Sequence, residues 1–126
     1  MKNDAQIKTF VQGTLGCGCP EEVFAKIETS QLVGDEVRTR INIGDRLLIY
    51  IVTADGELDL EKVVVKTVEQ GIQDRNQNRF NRFRLVVGAA EPEQVTAAVT
   101  HGFSACSTVD ELAHLHILPI EQLNIF

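Results

Sequence analysis

Cys17 and Cys19 are the residues whose type and spacing most readily suggest chemistry, in the segment Gly13-Thr14-Leu15-Gly16-Cys17-Gly18-Cys19-Pro20-Glu21-Glu22. Glycines bracket the two thiols, and Pro20 suits the first position of a helix. Cys19 is therefore expected at an N-cap, where unpaired amide hydrogens and the helix dipole favour the thiolate, with Glu21 and Glu22 in partial opposition. Two such thiolates supply half of a site for a soft metal such as zinc, or for an iron–sulfur cluster. Cys106, His101, His114 or His116, or the same segment of a second subunit, would complete it. The pair can instead cycle between dithiol and disulfide, although a ring closed over one residue is tight. In a third reading the cysteines only pack, as small, easily buried side chains in a close connection. The spacing is one residue shorter than that of zinc knuckles and thioredoxin-type motifs.

Three other groups bear on the site. Cys106 lies in Gly102-Phe103-Ser104-Ala105-Cys106-Ser107, where small neighbours fit a packed turn or a ligand loop. His114 and His116 alternate with Leu115 and Ile117, so in a strand both imidazoles share one face. Arg75, Arg79, Arg82 and Arg84 form the densest basic group, and forked guanidinium donors suit carboxylates or phosphates. The bland alternative for the arginines is a solvated loop and strand edge neutralised by nearby acids. Gly13, Gly16 and Gly18 follow neither a Walker nor a dinucleotide pattern, and Ser30, Ser104 and Ser107 lack the glycines of a nucleophile elbow.

The elements that must position these groups follow from periodicity. Ile7, Phe10, Val11 and Leu15 fit one helical face, which predicts a helix from Asp4 to Leu15 stopped by Gly16. A short strand over Ile7 to Gln12 competes with it. A second helix is expected from Pro20 to about Glu28, then a loop through Thr29 and Ser30. The alternation of Val37, Thr39, Ile41 and Ile43 predicts a half-buried strand, joined through a type II′ turn at Gly44-Asp45 to the apolar strand Leu47 to Val52. A helix from Asp59 to Gln73, a buried strand Phe83 to Val87, a helix opened by Pro92 and running to Gly102, a short helix capped by Ser107 or Thr108, and a strand Leu115 to Leu118 complete the chain. Strand, helix and strand in that order imply a parallel crossover. The expected fold is thus a single α/β domain over residues 1–126: a small mixed sheet with an antiparallel hairpin and a parallel β-α-β crossover, helices packed around it.

Composition narrows the function classes. With 126 residues, 44% of them apolar and 24% charged, the chain can bury one real core. A formal charge of -6 argues against nucleic acid or an anionic membrane as a general partner. No apolar run approaches a bilayer span, and the first residues lack the apolar block of a signal peptide, so the cytoplasm is the expected compartment. Three cysteines, an odd number, do not make a secreted disulfide framework.

Two resemblances carry further expectations. The stretch Leu15-Gly16-Cys17-Gly18-Cys19-Pro20-Glu21-Glu22-Val23-Phe24 resembles the N-terminal segment of small uncharacterised prokaryotic proteins and implies no activity. If Ile7 to Gln12 were a strand, the order strand, thiol loop, proline and helix would resemble the thioredoxin-like active site, without its two-residue thiol spacing or its later proline. The reading that unites these signals is a small cytoplasmic thiol protein binding a soft metal or cluster, or undergoing redox exchange, through Cys17 and Cys19. The alternative is a non-catalytic homo-oligomeric module with structural cysteines, in which the alternating strand Glu36 to Ile43 pairs edge to edge in a homodimer. Neither reading specifies a small-molecule ligand.

Overall fold

Residues 4–16, 21–31, 39–54, 60–106 and 112–123 are described by the structure, a computed structural model. Its frame is a continuous apolar strand, β3 (Leu47–Ala54), buried along most of its length. β-Branched residues on both faces of one strand require cover on both sides, and the sheet supplies it. The strand order follows the chain, β1 (Ile27–Gln31), β2 (Thr39–Ile43), β3, β4 (Arg82–Ala89) and β5 (Ala113–Pro119). The first three strands pair antiparallel, and β3–β4 and β4–β5 pair parallel. The mixed α/β fold expected from periodicity is the fold observed.

The crossover helices α2 (Leu60–Gln77) and α3 (Pro92–Ala105) pack on each other and on one face of the sheet. Leu48, Tyr50 and Val52 of β3 and Phe83, Leu85 and Val87 of β4 meet Val64, Val68, Ile72 and Val99 there. Gly71 lets α2 approach closely, because a Cβ at that position would collide with the Phe83 ring. The opposite face carries Ile41, Ile43, Leu47, Ile49, Ile51 and Val86, covered by Ile7, Phe10, Val11 and Leu15.

That cover is a helix, α1 (Asp4–Thr9), which continues as a π-helical segment, Phe10–Thr14. The Leu15 amide donates to the Phe10 carbonyl at 3.0 Å, a five-residue reach, and Gly16 at φ 68° ends the segment in the left-handed region. Helix therefore replaces the alternative strand over Ile7 to Gln12, and with it goes the thioredoxin-like order of elements.

Three local expectations are corrected. The helix read from Pro20 to Glu28 is a 3-10 turn, Glu21–Ala25, followed by β1. Ile27 and Thr29 sit opposite Ile43 and Ile41, so pairing with β2 overrides a short helical pattern. The hairpin turn has positive φ at both Gly44 (61°) and Asp45 (58°), the sign pattern of a type I′ rather than a II′ turn. Asn42 makes the turn affordable by accepting the Asp45 amide at 2.7 Å and donating to its carboxylate at 2.8 Å. Finally, β2 is bonded on both sides, by β1 and β3, so Thr39–Ile43 offers no open edge for a second copy. The short helix expected after Ser107 lies outside the described residues.

Candidate functional site

Strand alternation decides which chemical groups meet. Phe83, Leu85 and Val87 face the helices, so Arg82, Arg84 and Val86 face α1. On β5 the same rule puts His114 and His116 on the α1 side, and the register sets Arg84 between Ile49 and His114. A guanidinium is thus built into the sheet beneath the end of the N-terminal helix.

Arg84 is only 7% exposed. Its Nη1 donates to the Leu15 carbonyl at 2.9 Å and stands 2.7 Å from His116 Nε2. The Leu15 carbonyl is one of the acceptors a helix end leaves without a partner, and the partial negative charge there suits a cation. Because Nη1 must donate, His116 accepts through Nε2 and carries its proton on Nδ1. Burial, then Arg84, then His114 push the His116 pKa down to about 4, so the imidazole is neutral near pH 7. Burial and the two arginines lower His114 likewise. Burial and Arg82 pull Arg84 below the usual arginine range. Among the described residues no carboxylate contributes to these three shifts, so the site is electropositive, and Arg84 Nε is buried without a partner.

A second polar cluster joins β2, β3 and α2 on the other face. Asp74 accepts Arg40 Nε at 2.7 Å and Nη2 at 3.0 Å, the Tyr50 hydroxyl at 2.6 Å and Asn78 Nδ2 at 2.7 Å. Burial works to raise the Asp74 pKa, but Arg40 and Tyr50 together hold it below the ordinary carboxylate value. Burial and Asp74 raise that of Tyr50. Arg40 also lies over the Phe80 ring, 5.6 Å from its centre. The Asp74 carboxylate thus meets donors from Arg40, Tyr50 and Asn78 at once, which marks a structural clasp.

The residues singled out in the sequence are dispersed. Cys17 and Cys19 lie outside the described residues, immediately after the Leu15–Gly16 end that Arg84 holds. Cys106 is buried in the core between sheet and crossover helices, on the far side of the sheet from Leu15. His101 is exposed on α3, with Nδ1 2.7 Å from Glu61 Oε1. Of the candidate ligands Cys106, His101, His114 and His116, the last two alone share a face with the N-terminal segment. Among the described residues there is no group of three or more His, Cys, Asp or Glu placed to hold a metal.

The arginine group also divides. Arg75 is buried on α2 and bonded to Asn76, Arg79 is exposed with φ 62°, and Arg82 and Arg84 belong to the α1 face. Arg84 is therefore no solvated edge residue. The signal was present in the sequence: an arginine inside the apolar run Phe83 to Val87 of a parallel strand must be buried on one face or the other. Its partner Leu15, 69 residues away in the chain, carries no sequence signal. The Asp74 clasp had none either, beyond a tyrosine in an apolar strand.

No described helix is long and apolar enough to cross a membrane. No family model, curated protein or solved structure matches this chain.

Proposed function

We propose that this is a thiol protein in which Cys17 and Cys19 react as thiolates under the influence of Arg84. The observation that carries the reading is the 2.9 Å bond from Arg84 Nη1 to the Leu15 carbonyl. Leu15 and Cys17 are two residues apart, at most about 7 Å between Cα atoms, so the cysteine segment departs from a carbonyl held by a guanidinium that no described carboxylate neutralises. A cation brought within about 4–6 Å of a thiol lowers its pKa and adds to the effect of a following helical turn.

Thiol–disulfide exchange is the chemistry this supports best, with the protein as oxidant. A Cys17–Cys19 disulfide closes a tight ring, and the reduced thiolates are stabilised by Arg84; both effects favour reduction of the pair. A thiolate of a partner dithiol attacks one sulfur of the disulfide, giving a mixed disulfide and releasing the other sulfur as a thiolate. The second partner thiolate then attacks the mixed disulfide. The partner leaves as a disulfide, two electrons pass to the protein, and Cys17 and Cys19 end as the dithiol. Soft-metal or cluster capture uses the same thiolates with a different acceptor.

The test is the pH dependence of alkylation in the full chain, with Cys17→Ser and Cys19→Ser used to assign each thiol. At least one thiol should titrate below the ordinary value of about 8.5, and Arg84→Gln should move it upward. A thiol titrating at the ordinary value and indifferent to Arg84→Gln would leave only a packing module. Metal content and the visible spectrum of anaerobically purified protein separate metal capture from exchange.

A further inference from the structure

Arg40 and Arg84 use their guanidinium groups differently. Arg40 presents Nε and Nη2, the paired edge, to the two oxygens of Asp74. Arg84 makes its bonds to described residues through Nη1, and on its Nε–Nη2 edge Nε is buried without a partner. That edge matches two oxygens of a carboxylate or phosphate, and it is the strongest anion-recognising geometry a side chain offers. A buried donor left unmade is costly, so its retention in a nine-tenths-buried residue needs a cause.

The surroundings agree in sign. Arg82 lies two residues away on the same face, and His114 is the cross-strand neighbour of Arg84. His116 clamps Nη1 and so fixes the plane of the guanidinium. We propose that the Nε–Nη2 edge of Arg84, flanked by Arg82 and His114, receives an oxyanion of an external ligand, a carboxylate or a phosphate. The site extends beyond the thiol chemistry and does not depend on it.

Inorganic phosphate and acetate are the probes, titrated into the full chain at constant ionic strength in chloride and followed by calorimetry and amide NMR shifts of β4 and β5. Saturable binding is expected for at least one. Phosphate the tighter would indicate a phosphate-bearing ligand, acetate a carboxylate. Arg84→Lys keeps the charge but loses the paired edge, and should weaken binding at least tenfold. Arg82→Gln, an exposed change compatible with folding, should weaken it a few-fold, and Arg79→Gln should leave it unchanged. No saturable binding of either anion, equal binding by folded Arg84→Lys, or binding that appears only after Cys17→Ser/Cys19→Ser would each overturn the proposal. The last result would place a thiolate, not a ligand, on that edge. Because alkylation and anion titration are read separately, failure of one reading is distinguishable from failure of the other.

Discussion

Two arginines, one on each face of the same sheet, show what distinguishes a structural charge from an available one. Arg40 is matched donor for acceptor by Asp74, which also holds Tyr50 and Asn78, so the cluster closes on itself and ties β2, β3 and α2 together. Arg84 is more deeply buried than Arg40, yet among the described residues it bonds a backbone carbonyl and a neutral imidazole and no carboxylate. Burial of charge alone therefore does not identify a site. What sets Arg84 apart is its buried Nε, which no described residue meets, since a buried ion is tolerated when paired and stands out when it is not.

The largest effect that would sharpen this contrast is at Asp74. Asp74→Ala strands a half-buried guanidinium and a tyrosine hydroxyl together, and should cost about 3 kcal/mol by denaturant unfolding, in the range for breaking such a pair. A loss below about 1 kcal/mol would break the comparison. The next effect is in pH. His116 has a folded pKa of about 4 against an ordinary 6.5, so between those values the unfolded chain binds a proton the native state does not. Stability should fall as pH drops from 6.5 to 4, by on the order of 1–2 kcal/mol once partial exposure is discounted, and His116→Asn should flatten that limb. Asp74 works in a lower window: its stabilisation is complete above the unfolded value near 3.8 and is lost as pH falls through the lower folded value. Asp74→Ala should remove that acid limb and leave the histidine limb in place. Arg84→Met is the smallest expected change. It removes an incompletely paired charge and keeps the apolar stem, so thermal unfolding should shift by less than about 1 kcal/mol in either direction, unlike any change to the clasp. A loss of several kcal/mol would mean that Arg84 is a second clasp.

Much of this architecture was legible because period-two and helical patterns are local. The continuous run Leu47 to Val52, the stripe Leu60, Val63, Val64, Val68 and Ile72, and Pro92 at a helix start each matched an element of the fold. β1 is not legible in the sequence because Ile27 and Thr29 take their conformation from Ile43 and Ile41 across the sheet, a pairing five residues cannot announce. Within the candidate site, alternation placed His114 and His116 on one face correctly. Proximity in sequence groups the arginines, but Arg75 and Arg84 belong to opposite sides of the sheet, as side-chain alternation and helix packing require. The contact of Arg84 with Leu15 depends on how the N-terminal helix lies across β4, which no local pattern encodes.

The π-helical segment Phe10–Thr14 holds one residue more per hydrogen-bonded turn than α geometry, since the Leu15 amide reaches back five residues to Phe10 where an α-helix reaches four. Deleting one residue from the segment would turn that bond into an ordinary α bond and keep the Leu15 carbonyl near Arg84, whereas deleting one between Ile7 and Phe10 would rotate Ile7 off its seat on the sheet by roughly 100°. The extra residue is thus absorbed within one turn, and the point from which the cysteine segment departs stays tied to β4.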